Sequence, residues 1–162
     1  MHTLYLSLGS NMGDRQALIG SAVALIIERV GMVMRASSLI ETEPWGYESA
    51  NVFLNQVVCV DTDLQPSEAL VVTQEIEREL GRTEKSSAGH YSDRLIDIDL
   101  LMYDSLVMDT AALKLPHPLM HLRRFVLEPL VEIAPGLVHP GIGLTVTELL
   151  NHIPNKDGRQ LA

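Results

Sequence analysis

Residues 94–103 read RLIDIDLLMY. The run is apolar enough to be a strand, yet Asp97 and Asp99 are set into it. Residues two apart on a strand point to the same face, ~6.6 Å apart along the chain. Asp97 and Asp99 therefore look one way, while Ile96, Ile98 and Leu100 look the other way into a core. An unpaired carboxylate is costly to bury. The acidic face must meet cations or water.

Outward from this strand, the chain alternates between two periodicities. Leu4, Leu6 and Leu8 alternate with Tyr5 and Ser7, the period of a strand. Gly9-Ser10-Asn11 is expected to break it. Residues 14–30 carry Leu18, Ala22 and Leu25 or Ile26 at helical spacing and stop at Gly31. Residues 32–40 predict a second strand, 41–50 a Pro/Gly loop, and 52–60 a β-branched third strand. Pro66 suits the first turn of a helix, which runs to Leu80 before Gly81. Residues 82–93 lack periodicity, and loops of that length within compact domains are usually functional or disordered. Residues 95–102 form the fourth strand, and 106–108 a short hairpin strand. Residues 122–134 have helical spacing, but Pro129 lacks an N–H and crowds the carbonyl of Phe125. Two short helical pieces are expected there, then a terminal helix over 145–151 and a loose tail. The order β-α-β-β-α-β predicts an α+β sandwich in which helices cover an antiparallel sheet.

The 162 residues fit one domain spanning 1–162. The segment 22–27 is too short for a membrane span and has no signal-peptide layout. The single cysteine, Cys59, excludes an internal disulfide framework and agrees with a cytoplasmic setting. A net charge of −9 is poorly suited to nucleic acid. Yet seven of the twelve Lys and Arg fall between Arg78 and Arg124, with His90, His117 and His121 among them. A basic region in an acidic chain suggests a small anionic ligand, although some of these side chains are expected to be solvated surface charges.

Paired aspartates without a clustered His or Cys match magnesium better than zinc. Magnesium favours one or two carboxylates completed by water and substrate phosphates. Arg82 and Arg94 flank the aperiodic loop, and arginine forks match phosphate oxygens. Metal, arginines and a loop are the components of phosphoryl transfer. The competing reading is a wet acidic face. Gly9-Ser10-Asn11-Met12-Gly13 lacks a following Lys-Ser or Lys-Thr and is not a Walker A loop.

On the third strand Phe53, Asn55, Val57 and Cys59 share one face. A ring beside a primary amide suits a flat heterocycle, by stacking and edge hydrogen bonds; a core phenylalanine and a strand-end asparagine are the plainer alternative. Trp45 is a candidate wall, and Phe125 a second stacking surface or a buried helix anchor. His117, held between two prolines, aims an imidazole or merely turns the chain. Cys59 needs no role beyond a small buried hydrophobe, and His121 and His139 are read as structural or surface residues.

Several segments together resemble the 6-hydroxymethyl-7,8-dihydropterin pyrophosphokinase family of folate biosynthesis. They are LSLGSNMGDR (6–15), ETEPWG (41–46), FLNQVV (53–58), QEIERELGR (74–82), DRLIDIDLLMY (93–103) and LPHPLMHLRRFVLEPLVEIAP (115–135), with a later His-Pro. The resemblance covers residues 4–150. It implies a ferredoxin-like α+β fold and ATP-dependent transfer of pyrophosphate to the hydroxymethyl group of a reduced pterin, releasing AMP. Carried over by position, Asp97 and Asp99 would bind two magnesium ions, and Arg82 and Arg94 would contact the phosphates. Gln74, Glu77, Ile98, His117 and Arg123 would hold ATP. Thr42, Pro44 and Trp45 would offer mostly backbone groups to the pterin edge, Asn55 would bond it, and Phe53 and Phe125 would sandwich its ring. The chain departs from the family pattern between Gly81 and Arg94. Glu84 stands where a second basic residue is usual, and Tyr91 or His90 and then Asp93 stand near the places of a tryptophan and a proline. Lys85 and Tyr91 are the nearest replacements. Two other classes compete, a magnesium-dependent phosphohydrolase on the same carboxylates and a non-enzymatic ligand-binding module of the same fold.

Overall fold

The structure, a computed structural model, describes residues 1–42, 52–81 and 95–154. Strand β1 (His2–Ser10) leads into helix α1 (Arg15–Arg29), then β2 (Gly31–Ala36), β3 (Ile40–Thr42) and β4 (Phe53–Thr62). Helix α2 (Pro66–Glu79) precedes β5 (Asp97–Tyr103). A small hairpin of β6 (Met108–Asp109) and β7 (Lys114–Leu115) follows, then a 3-10 turn (Met120–Leu122), α3 (Arg124–Ile133) and α4 (Val146–Asn151). The main sheet runs β2-β4-β1-β5, with β3 also on β4. Every recorded pairing is antiparallel. This is the ferredoxin-like arrangement: the two βαβ crossovers interleave, so the first and last strands of the unit lie side by side.

The alternation read in the sequence sorts residues onto two faces. Leu4, Leu6, Leu8, Val58, Val60, Ile98 and Leu100 join one core with Ile19, Ala22 and Ile26 of α1 and Ala69 and Ile76 of α2. Val57, Cys59, Leu101 and Met102 join a second core with Val126, Leu127, Leu130 and Ile133 of α3 and Val146 and Leu149 of α4. Helices thus cover both faces. A bulge makes this possible on β5. Tyr5 pairs with Met102 and Leu6 with Leu100, so Leu101 is an extra residue. Leu101 and Met102 therefore both reach the second core, whereas Ile98, Leu100 and Tyr103 belong to the first.

The helix ends follow local chemistry. The Asp14 side chain accepts the N–H of Ala17 and opens α1. Pro66 starts α2, and the Glu68 carboxylate accepts the N–H of Gln65. Gly31 is not the left-handed cap of α1. A Cβ there would sit 2.0 Å from the carbonyl oxygen of Asp61, so glycine permits the close pass of β2 against β4.

Four local expectations change. β1 continues through Gly9 and Ser10. The second strand divides at Ser37, whose N–H donates to the carbonyl of Val57 and whose hydroxyl accepts the N–H of Val57. The short hairpin begins at Met108 rather than 106 and pairs with Lys114–Leu115. Residues Arg124–Ile133 form one helix through Pro129. Proline removes one backbone bond in the middle of that helix, and burial of Val126, Leu127, Leu130 and Ile133 outweighs the loss. The expected forms of 43–50, 82–93 and the tail after Pro154 lie outside the described residues. Among the described residues no helix is long and apolar enough to cross a membrane.

Candidate active site

The site assembles on the sheet face that carries α3 and α4, at the end near the start of β5. Asp97 pairs across the ladder with Gly9, and Asp99 with Ser7. Gly9 also pairs with Asn55 on its other side, and Ser7 with Val57. Residues directly opposite in a ladder share a face. Asp97, Gly9 and Asn55 therefore form one row, the backbones of the two outer positions roughly 10 Å apart across two strand spacings.

Gly9 decides the shape of this row. A Cβ there would lie 3.0 Å from Asn55 Oδ1 and 3.6 Å from Phe53 Cδ1. The missing side chain lets Phe53 and Asn55 lean over β1. Sequence reading took Gly9 for a strand terminator. The signal lay in its position directly after the alternating leucines, where a glycine within a strand marks a close approach.

Asn55 is buried, and its Nδ2 donates to Thr42 Oγ1 at 2.6 Å. That bond orients the amide and joins β3 to β4 beside Phe53, which is half-buried. Asp97 and Asp99 are also partly exposed, alternating with buried Ile98 and Leu100. The Arg123 guanidinium approaches Asp99, Nη1 to Oδ2 at 3.7 Å, and lies 5.5 Å from the centroid of the Phe125 ring. Arg123 is itself buried, and it couples the acidic strand to the aromatic of α3.

Beneath the row, α2 reaches the outer edge of β5. Glu77 is 2% exposed, and its Oε2 accepts the Ile98 N–H at 2.7 Å. The bond falls between the two aspartates. Gln74 sits one turn earlier on α2, partly exposed. His117 is anchored by its own N–H, which donates to the carbonyl of Leu101, and its Nδ1 accepts the Leu119 N–H at 3.1 Å. In the neutral ring the proton is thereby placed on Nε2. Thus Thr42, Phe53 and Asn55 converge on one side of Gly9, and Asp97, Asp99, Arg123 and Phe125 on the other. Pro44, Trp45, Arg82 and Arg94 lie outside the described residues, as do Glu84, Lys85 and Tyr91.

The donor set at Asp97 and Asp99 fits a hard divalent cation: two carboxylates on one partly exposed strand face, with oxygen donors only. Among the described residues no group of three or more His, Cys, Asp or Glu could enclose a metal. Such a pair suits an ion that shares its coordination with a phosphorylated ligand.

A family model described as 7,8-dihydro-6-hydroxymethylpterin-pyrophosphokinase (HPPK) matches residues 5–135. The chain belongs to this family. It is therefore an ATP-dependent pyrophosphokinase of folate biosynthesis. Among its relatives is the 2-amino-4-hydroxy-6-hydroxymethyldihydropteridine pyrophosphokinase of Porphyromonas gingivalis, 50% identical over 141 residues, covering 86% of this chain and 95% of that one. The enzyme of the same name from Bacillus subtilis is 45% identical over 130 residues, covering 80% and 76%. A solved Plasmodium falciparum HPPK-DHPS chain with pteroate superposes with a TM-score of 0.74 at 16% identity, covering 91% of this chain and 43% of that one. At that identity the likeness concerns the fold. The chain spans about two fifths of the solved HPPK-DHPS chains it matches.

Proposed function

We propose that residues 1–162 act as one cytoplasmic domain that moves pyrophosphate from ATP to the hydroxymethyl group of 6-hydroxymethyl-7,8-dihydropterin in a single in-line step. Its partners are these two small molecules, with no nucleic acid or membrane surface involved. The observation that carries the reading is the row Asp97–Gly9–Asn55, an acidic position and a buried amide on one sheet face, separated by a residue without a side chain.

The roles of Thr42, Asn55, Phe53, Asp97, Asp99 and Arg123 draw on the geometry above, whereas those of Pro44, Trp45, Arg82 and Arg94 rest on the family resemblance. Asn55, oriented by Thr42, bonds the pterin edge, and Phe53 and Phe125 hold the ring between them. By the family resemblance, Pro44 and Trp45 would serve the same pterin edge. Asp97 and Asp99 would hold two magnesium ions, which when bound would neutralise the triphosphate and lower the pKa of the pterin hydroxyl. Arg123, Gln74, Glu77, His117 and the backbone of Ile98 hold ATP. Arg82 and Arg94 meet the charge that develops on the phosphoryl oxygens. The pterin side orients the hydroxyl oxygen and the β5 side orients the phosphates, so the domain acts mainly by positioning and by excluding water.

The test is to mix the protein with ATP, magnesium and the reduced pterin and to follow AMP. AMP formed only when pterin is present is the expected result. Phosphate released from ATP without pterin would overturn the reading in favour of a hydrolase, and tight ligand binding without either product would overturn it in favour of a binding module.

A further inference from the structure

Arg15, the first residue of α1, reaches across to the segments that bracket residues 43–51. Its Nη1 donates to the carbonyl of Val52 at 2.8 Å, and its Nη2 donates to Glu41 Oε1 at 3.1 Å. Glu41 is the middle residue of β3, and Val52 immediately precedes β4. One guanidinium fork thus joins the departing chain to the returning chain.

The arrangement matters because β3 is three residues long, pairing Ile40 with Asn55, Glu41 with Leu54 and Thr42 with Phe53. So short a ladder leaves its last residue prone to fraying. Thr42 nevertheless lies 2.6 Å from Asn55 Nδ2. The Arg15 fork acts on both strands next to that contact, and its side chain is 31% exposed against 64% for Glu41. A planar fork fixes two acceptors relative to each other, which a single ammonium cannot do.

We infer that Arg15 is a positioning residue for pterin recognition: by bridging Glu41 and Val52 it holds Thr42 against Asn55, so the amide is pre-set for the pterin edge. The inference rests on the reading that Asn55 bonds the pterin. Arg15 has its Nη1 and Nη2 engaged by protein acceptors. It acts through the spacing of β3 and β4, away from the acidic pair on β5.

The experiment compares Arg15→Met, Arg15→Lys, Glu41→Gln and Asn55→Ala by KM for pterin, KM for ATP, kcat and thermal midpoint. Losing two charge-assisted hydrogen bonds, one of them also an ion pair, predicts a rise of about tenfold in pterin KM for Arg15→Met, with ATP KM and kcat within about twofold. Arg15→Lys, which restores one of the two bonds, recovers part of the loss. Glu41→Gln, which keeps an acceptor oxygen, stays close to the parent. A lowered thermal midpoint with unchanged pterin KM in Arg15→Met, or an equal rise in both KM values, overturns the inference. Asn55→Ala separates the two levels. If it raises pterin KM while Arg15→Met does not, the Arg15 role alone fails. If it leaves pterin KM unchanged, the reading of Asn55 fails, and the inference fails with it.

Discussion

At the scale of single residues, the aspartates and one histidine make opposite demands on charge. Asp97 and Asp99 share a strand face, and the Arg123 guanidinium lies 3.7 Å from Asp99. One buried cation beside two carboxylates leaves negative charge for a divalent ion to meet. Asp97→Asn and Asp99→Asn keep the shape and remove that charge. Each is expected to lower kcat by at least about a thousandfold, roughly 4 kcal/mol in the transition state. Calorimetry should show pterin binding largely intact, because Asn55 and Phe53 are untouched; a lost pterin affinity would mean that the strand itself had moved. His139 demands the neutral form. It is buried, and its Nδ1 accepts the N–H groups of Gly141 and Ile142 at 3.1 and 3.0 Å. Burial, and then the neighbouring ring of His121, hold it below its usual value near 6.5. Between that usual value and the lower folded one, the unfolded chain binds more protons, so stability rises with pH across this window. The contribution is complete above about pH 6.5 and is lost as the pH falls toward the folded value. His139→Asn keeps an acceptor at the same place without titrating. The excess thermal midpoint of the parent over this variant should shrink from pH 7 to 5, as scanning calorimetry would show. A constant difference would place the acid sensitivity elsewhere.

At the scale of elements, capping and close packing decide what periodicity cannot. Helix α4 has six residues, too few to be stable alone. Thr145 Oγ1 accepts the Glu148 N–H at 3.1 Å, and Glu148 Oε1 accepts the Thr145 N–H at 3.0 Å. The same contacts hold the Glu148 carboxyl below its ordinary value. Thr145→Ala should cost about 1 kcal/mol, or ~2–4 °C in thermal midpoint for a chain of this size, and Thr145→Ser should cost little. Equal melting of all three proteins would show that packing of Val146 and Leu149 alone fixes the helix. The main strands and the two long helices were legible in the sequence because each buries one face with its own period. What escaped was fixed by contacts distant in the chain. The break at Ser37 depends on Val57, the continuity of α3 depends on the core beneath Pro129, and the β6–β7 pairing depends on residues beyond the turn.

At the scale of the molecule, the sheet separates the α1–α2 layer from the face that carries α3, α4 and the candidate site, and the edge of β5 is where the two communicate. Asp97 and Asp99 announced themselves in the sequence as charges within an apolar run. The partners of that run did not: nothing local to Gly9 says that Asn55 and Asp97 will lie on either side of it, because strand order is set by the crossovers of α1 and α2. Arg123 beside Asp99 was equally hidden, since 24 positions and the β6–β7 hairpin separate them in the chain. Glu77 is the tie between layers. It projects from α2, is buried, and accepts the N–H of Ile98 between the two acids. Its loss leaves a buried donor without that acceptor, at a cost of about 1–3 kcal/mol. Glu77→Ala is therefore expected to unfold earlier than the parent in urea by that amount. Because Ile98 and both acids ride on the same strand, KM for ATP should rise in parallel. Glu77→Gln retains an acceptor oxygen without the charge and should recover most of the stability. If it also recovers ATP affinity, the carboxylate serves ATP through strand position. If stability returns while ATP KM stays high, the charge itself faces the nucleotide. An alanine variant that melts like the parent would remove the tie altogether, and with it the idea that α2 sets where Asp97 and Asp99 stand.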